Sequence, residues 1–292
     1  MKIFTSGYQP DKKGGAHSFL AHFRKCFSSE IAYSPEDADI IFITSASMLG
    51  KLNEIPQDKK IVLRVDNVLK NSCNRKIYPF EGDKVTMMEA MRILAQKADL
   101  VIYQSEWCKS FLDGFLKPNK STIILNSVDE AIYKPEGGKI PTDKEVYFYS
   151  RSSNHDNKQW HKAYYYYQEL HKEKPNRELW IAGRFSPENV PNNFDFFNGE
   201  TIRYVGFVQD PEAMALYMRT ASHFVYSFSH DACSNTLIEN LMVGGDPIIL
   251  DDSGGAREIL DKFKKYGRDY FKLERMAKEY KEALSQVLHD NN

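Results

Sequence analysis

The stretch HDACSNTLIENLMVGGDPIILDDSGGARE, residues 230–258, contains an ordered series of helix, strand and turn signals from which the fold of this chain can be inferred. After a polar opening, a helix is predicted from Thr236, with an apolar stripe that ends at the two glycines 244–245. Residues 247–250 predict a short strand, and residues 251–255 a tight turn into another helix. This order predicts an α/β domain whose helix N-termini, with unpaired N–H groups and partial positive charge, suit an anion.

Two carboxylates stand eight positions apart in this stretch, Asp231 at the polar turn and Glu239 inside the helix. Read alone, they would be a helix-capping carboxylate and a surface glutamate. With their surroundings they resemble the nucleotide-sugar site of retaining glycosyltransferases of family 4, which have the two-domain GT-B fold. That family has an acidic residue, seven others and a glutamate, then a glycine and a proline-led strand. Asp231 occupies the first acidic position, where glutamate is more usual.

The resemblance implies an α/β fold with two Rossmann-like, doubly wound domains whose parallel sheets face each other across a cleft. Residues 1–140 would form the acceptor-side domain and residues 141–260 the nucleotide-sugar domain. A helical tail, residues 261–292, would pack on one domain or cross back over both. The polar, Gly- and Pro-containing stretch 136–144 predicts the linker. Strands that alternate with helices along the chain independently favour parallel sheets with right-handed crossovers.

Length and composition limit the classes of function. The chain has 292 residues, 42% of them apolar, and a formal net charge of −1. This balance is ordinary for a globular protein and argues against non-specific nucleic-acid binding, which needs a basic excess. No stretch approaches the roughly 20 apolar residues of a membrane span. The start of the sequence leaves no room for a signal peptide, and its four cysteines are widely spaced, so a cytoplasmic protein without disulfides or zinc is expected.

Two turns in the first domain are candidates for ligand contact. Asp66 follows the predicted strand 60–65, and ligands in open α/β sheets collect at the carboxyl ends of strands. An Asx turn or a helix cap is the alternative role for this aspartate. Gly14 and Gly15 end the loop after the first strand, where they would let a phosphate or sugar approach the backbone or would simply form a turn. A Gly-rich turn at this place in family 4 favours the functional interpretation.

Arg151 and Lys158 lie in a polar loop after the first strand of the second domain. Two cations in such a loop are usually solvated, but family 4 places an arginine and a lysine here to hold the donor diphosphate. Negative charge gathers on that leaving group as the glycosidic bond breaks, so fixed cations stabilise the transition state. In the resemblance the turn after strand 202–205 lies beside the base. Phe207 and Val208 are therefore candidates for base contact, with a packing role as the alternative.

The reaction expected from the resemblance is transfer of a sugar from a nucleotide-diphosphate sugar to a hydroxyl of a glycan, lipid-linked or protein-linked acceptor, with retention. Backbone N–H groups of Ser234, Asn235 and Thr236, with the two cations, would hold the diphosphate. Glu239 would accept hydrogen bonds from the ribose, and Asp231 would face the sugar or the charge developing at the anomeric carbon. Neither a cofactor nor a metal is expected.

Other interpretations remain open at the level of sequence. The same fold supports nucleotide-sugar epimerases and phosphorylases, and a binding protein that has lost catalysis would keep much of the pattern. Tyrosines 164–167 and the basic run 262–265 leave a peripheral membrane contact open, although buried helix and solvated surface are commoner roles.

Residues 70–82 predict an irregular loop and residues 85–98 a helix. The tail predicts a buried stripe that consists of Phe271, Met276, Tyr280, Leu284 and Val287.

Overall fold

A computed structural model describes residues 1–9, 15–65, 77–80, 83–152, 158–184 and 201–290, with side chains omitted at 77–84 and 151–152. The chain divides into two compact units. Unit 1 comprises Met1–Ser127 and Lys272–Asn292, and unit 2 comprises Val128–Phe271. The linker predicted near residue 140 lies inside the first part of unit 2, and the end of the chain belongs to unit 1.

Unit 1 is built on a six-stranded parallel sheet with a separate hairpin. Its strands are β1 (Ile3–Thr5), β2 (Ile31–Ala32), β3 (Ile40–Thr44), β4 (Lys60–Arg64), β5 (Ile77–Phe80), β6 (Asp83–Thr86), β7 (Leu100–Tyr103) and β8 (Ser121–Ile123). Its first three helices are α1 (Gly15–Cys26), α2 (Met87–Lys97) and α3 (Glu106–Leu116). The sheet order is β2-β1-β3-β4-β7-β8. All five residues of β3 are buried, as expected of a parallel strand covered on both faces.

The region before α2 differs from the sequence prediction. Residues 77–80, expected to be irregular, form β5 and pair with β6 in an antiparallel hairpin. Helix α2 begins at Met87 rather than at residue 85, because Thr86 is its N-cap and accepts a hydrogen bond from the N–H of Glu89 at 3.2 Å. A threonine followed three residues later by a glutamate is the sequence pattern of a capping box.

The end of the chain completes the core of unit 1. Helix α8 (Leu273–His289) packs on α1. Tyr280 lies 5.6 Å, 5.3 Å and 5.9 Å, between ring centroids, from Phe19, Phe23 and Phe42. The buried stripe predicted for the tail is confirmed, since all five of its residues are 2% exposed or less.

Unit 2 contains a five-stranded parallel sheet. Its strands are β9 (Glu145–Ser152), β10 (Arg177–Gly183), β11 (Ile202–Gly206), β12 (His223–Tyr226) and β13 (Pro247–Ile249). Its helices are α4 (Trp160–Glu173), α5 (Pro211–Thr220), α6 (Asn235–Met242) and α7 (Ala256–Tyr266). The order β11-β10-β9-β12-β13 places the first strand of the unit at the centre. The predicted α/β class with two parallel sheets is confirmed.

Candidate active site

The order of the strands in unit 2 indicates where a ligand would bind. From β9 the chain adds β10 and β11 on one side of the sheet and then returns to add β12 and β13 on the other. The loops after β9 and β12 therefore diverge at a topological switch point, and ligands of open α/β sheets bind at the carboxyl ends of such strands. The loop after β9 leads through Lys158 to α4, and the loop after β12 leads through Asp231 to α6.

The β12–α6 loop ends in a buried helix N-terminus. Ser234 is the N-cap of α6 and accepts a hydrogen bond from the N–H of Leu237 at 3.4 Å. All eight residues of α6 are buried, including the predicted site residues Asn235, Thr236 and Glu239. Glu239 is 4% exposed and belongs to the second turn of the helix. The candidate N–H donors and the glutamate thus belong to one rigid element.

Asp231 is held by the turn that follows β13. Its carbonyl oxygen accepts a hydrogen bond from the N–H of Gly255 at 2.9 Å. A β-carbon at Gly254 would lie 2.6 Å from the same oxygen, so only glycine fits there without a shift. The Gly-rich turn expected to face an anion therefore directs at least one N–H to the backbone of Asp231. Its first role is to fix the position of that aspartate.

Lys158 lies beside the β12–α6 loop. Its carbonyl oxygen accepts a hydrogen bond from the Tyr149 hydroxyl at 2.5 Å and another from the Ser227 hydroxyl at 3.2 Å. Its ammonium nitrogen lies 4.1 Å from the centroid of the Phe228 ring. The structure therefore brings this predicted cation next to the loop that carries Asp231. The N–H groups of α6 and a cation thus occupy the same end of the sheet.

A second cation, not predicted from the sequence, connects α4 to the segment after β13. Lys162 forms an ion pair with Asp251 at 2.8 Å. Burial acts to raise the pKa of the Asp251 carboxyl, but hydrogen bonds from Lys162 and Ser253 outweigh burial and hold that pKa below its ordinary value. Asp251 is therefore ionised at neutral pH, and the pair joins two segments on opposite sides of the β12–α6 loop in sequence.

Tyr226, the last residue of β12, was also not predicted as a site residue. Its side chain is fully buried. Burial raises the pKa of the Tyr226 hydroxyl well above its ordinary value, and the negative charges of Asp231 and Asp251 act in the same direction. The hydroxyl is therefore a protonated, neutral group near the Asp231 carboxylate across the physiological pH range.

The remaining predicted residues are distributed more widely. Val208 is half-buried after β11, and its neighbour Phe207 lies under the guanidinium of Arg184, 3.9 Å from the ring centroid. Arg184 follows β10 and is a further cation at this end of the sheet. Gly15 is the exposed first residue of α1, and among the described residues outside its own helix no atom lies within 4 Å of the position a β-carbon would take.

Three predicted residues lie wholly or partly outside the described part of the chain. Arg151 belongs to β9 by its backbone, but its side chain is not described. Gly14 and Asp66 lie outside the described residues. In the described part of the chain, no three His, Cys, Asp or Glu side chains gather into a group that could hold a metal ion. No helix there has the length and apolar character needed to cross a bilayer.

Solved structures identify the fold as that of the GT-B glycosyltransferases. The chain aligns over 99% of its length with 89% of a sucrose-phosphate synthase from Thermosynechococcus elongatus, with a TM-score of 0.65 and 14% identity. It aligns over 96% of its length with 62% of the pneumococcal O-GlcNAc transferase GtfA, solved in complex with UDP and GlcNAc, with a TM-score of 0.59 and 14% identity. It aligns over 95% of its length with 73% of a UDP-forming α,α-trehalose-phosphate synthase from Burkholderia xenovorans, with a TM-score of 0.53 and 14% identity.

No protein-family model and no curated protein sequence matches the chain. At identities this low, the likeness establishes the fold and does not by itself assign an activity. The chain spans less than two thirds of the GtfA chain, whereas it spans most of the sucrose-phosphate synthase.

Proposed function

We propose that this protein is a glycosyltransferase that moves a sugar from a nucleotide-diphosphate sugar to a hydroxyl acceptor. One observation carries the proposal. On a GT-B fold, Lys158 contacts the β12–α6 loop, which leads into the N-terminus of α6, at the carboxyl ends of β9 and β12, where the strand order reverses. A cation beside the backbone N–H groups of a helix N-terminus suits a diphosphate, because both stabilise negative charge.

Each residue then has a chemical role in the proposal. Lys158, with Arg151 and the N–H groups of residues 234–236, holds the diphosphate and neutralises it as the glycosidic bond breaks. Glu239 accepts hydrogen bonds from the ribose hydroxyls. Asp231 faces the sugar and stabilises positive charge at the anomeric carbon, with its backbone fixed by Gly255. Tyr226 is a neutral hydroxyl near that carboxylate rather than a base, because burial raises its pKa.

The finer assignments are part of the same proposal. Resemblance to family 4 supports retention at the anomeric carbon. It also supports an acceptor contact by Asp66 and the turn at Gly14 and Gly15, and a base contact at Val208. The fixed cations would make a metal unnecessary. We therefore expect turnover to continue at an undiminished rate in excess EDTA, and NMR of the product to show the anomeric configuration of the donor.

The first experiment is a thermal-shift and ligand-observed NMR screen of UDP-, GDP- and ADP-sugars, on the wild type and on Glu239→Gln. The isosteric amide is preferable to alanine because Glu239 is buried and truncation would leave a cavity. One nucleotide class at about 100 times its Kd should stabilise the wild type by roughly 2.7 kcal/mol. That gain should fall sharply in Glu239→Gln and persist in Glu169→Gln, a matched change at an exposed position of α4.

If no nucleotide-sugar stabilises the wild type, the proposed function is wrong. If Glu239→Gln binds as tightly as the wild type, the assignment of the donor site is wrong. Consumption of the donor without any acceptor, with formation of an isomeric nucleotide-sugar, would indicate an epimerase. Binding without turnover across a broad set of acceptors would indicate a protein that has lost catalysis.

A further inference from the structure

Gln159 has a backbone conformation that side chains rarely adopt. Its φ of 46° and ψ of 40° lie in the left-handed region, although it is the N-cap of α4, where an extended conformation is usual. Its side chain makes no capping hydrogen bond. In the described part of the chain, four non-glycine residues have positive φ, and two of these, Gln159 and His230, lie in the loops of the candidate site.

The side chain and backbone of Gln159 connect the two loops. Its Nε2 donates a hydrogen bond to the Ser229 hydroxyl at 3.1 Å. Its carbonyl oxygen accepts one from the Ser227 hydroxyl at 3.0 Å, and the same hydroxyl lies 3.2 Å from the carbonyl oxygen of Lys158. Residues 158–159 are therefore joined to residues 227–229, directly before His230 and Asp231.

The local sequence offers no reason for a glutamine here. Glycine or asparagine would adopt the left-handed region at lower cost, and serine, threonine, aspartate or asparagine would cap the helix better. Within the described ranges no donor reaches the buried Oε1 of Gln159, so the side chain is not fully satisfied either. Strained conformations of this kind persist only where the surroundings impose them, and they concentrate at functional sites.

We propose that Gln159 is a positioning residue that sets the place of Lys158 relative to the β12–α6 loop. The inference rests on the proposed function, because it assigns the bridge the task of presenting the Lys158 ammonium to the donor diphosphate. Gln159 acts through its neighbour: the left-handed turn directs the chain from Lys158 into α4, and the amide fixes that turn to Ser229. The Lys158 ammonium, which lies over the Phe228 ring, is then held beside the loop that leads into α6.

The test measures the Kd of UDP, GDP and ADP by calorimetry for the wild type and Gln159→Gly. Glycine removes both the bridge and the side chain that disfavours positive φ. Lys117→Gly is the matched control, because Lys117 also has positive φ, 49°, at the C-cap of α3 in the other unit. We expect Gln159→Gly to weaken binding about tenfold, as for loss of one charge-assisted contact. Its thermal midpoint should change no more than that of Lys117→Gly, whose affinity should equal that of the wild type.

A double-mutant cycle shows whether the effect acts through the lysine. Lys158→Met should weaken binding by itself, and adding Gln159→Gly to it should weaken binding no further. Ser229→Ala, which removes the partner of the amide, should reproduce part of the loss. The salt dependence of binding should decrease in Gln159→Gly as it does in Lys158→Met, which a general loss of stability would not produce.

Two results would overturn the inference and leave the proposed function standing. One is equal nucleotide affinity in the wild type and Gln159→Gly. The other is a loss of binding free energy in Gln159→Gly that adds in full to the loss in Lys158→Met when the two changes are combined. Failure of the wild type to bind any nucleoside diphosphate would overturn the proposed function and the positioning role together.

Discussion

At the scale of single residues, the two glycines after β13 have different tasks from the ones their pattern suggests. Gly254 fits against the backbone of Asp231, where a β-carbon would lie 2.6 Å from the carbonyl oxygen and 2.9 Å from the nitrogen. Gly255 donates a hydrogen bond to that carbonyl oxygen. Both atoms contacted belong to the main chain and cannot rotate away as a side chain could. The candidate carboxylate is therefore positioned by the closeness of two backbones.

We expect Gly254→Ala to destabilise the protein by about 1–3 kcal/mol, because the methyl group overpacks a backbone contact. It should also weaken nucleotide-sugar binding or turnover more than its loss of stability explains, since it displaces Asp231. Urea unfolding and donor binding measure the two effects. Gly114→Ala is the control: this glycine is exposed on α3 with nothing within 4 Å of a β-carbon. Gly114→Ala should raise the free energy of unfolding by about 0.5–1 kcal/mol, because alanine has a better helix propensity than glycine. If Gly254→Ala changes neither stability nor donor binding, the close contact between Gly254 and the backbone of Asp231 is contradicted.

At the scale of elements, the Lys162–Asp251 pair joins α4 to the segment after β13. The Asp251 side chain is 11% exposed and that of Lys162 39%, so solvent screens the pair only in part. The segment continues through Ser253, whose carbonyl oxygen accepts the N–H of His230 at 2.5 Å. Through these bonds the pair supports the β12–α6 loop from outside.

We expect Lys162→Gln to cost about 1 kcal/mol at neutral pH, as for a partly exposed ion pair. The pKa of Asp251 is lowered in the folded state, so the stabilisation exists above the ordinary aspartate pKa and is lost as the pH falls through the folded value. The difference between wild type and variant should therefore vanish well below about pH 4. Urea titrations at several pH values test this. Lys172→Gln, which breaks an exposed pair with Glu169, should show little effect throughout. A difference in the free energy of unfolding that does not depend on pH would argue against the ion pair between Lys162 and Asp251.

At the scale of the whole molecule, the last helix, α8, belongs to unit 1, whose other part is formed by the first 127 residues. The core of unit 1 contains Phe19, Phe23 and Phe42 from α1 and β3, together with Tyr280 from α8. About 240 residues separate Phe42 from Tyr280, and unit 2 lies between them in sequence. Unit 1 therefore cannot complete its core until the end of the chain is available.

We expect Tyr280→Ala to destabilise unit 1 by roughly 3–5 kcal/mol, as large-to-small changes of buried aromatics do. Hydrogen exchange should rise in unit 1, with the amides of β9, β10 and β12 unchanged. Tyr33→Ala removes a ring that is 91% exposed in the same unit and should have almost no effect. Equal loss of protection in both units would show instead that they unfold as one.

Much of the fold could be predicted from local patterns. Apolar runs such as residues 40–44, and helical stripes such as the one on α8, report which face of an element is buried, because burial follows the period of the backbone. The order of helix, glycine pair and proline-led strand after Asp231 likewise predicted α6 and β13 close to their bounds. Lys158 was predicted from the resemblance to family 4, which places a lysine in the loop after this strand, although only its contacts show that it lies beside the β12–α6 loop.

Other features could be known only from the tertiary structure. Local patterns along the chain were enough to predict the elements and the alternation that makes the sheets parallel, and the resemblance to family 4 supplied the candidate donors and carboxylates. The tertiary structure decided that Lys162 pairs with Asp251, that Gln159 bridges to Ser229, and that α8 completes unit 1. These pairings join residues 70 or more positions apart, and Gln159 adopts a conformation that its own type disfavours. Local propensity is set by neighbours along the chain, whereas such contacts depend on closure of the whole fold.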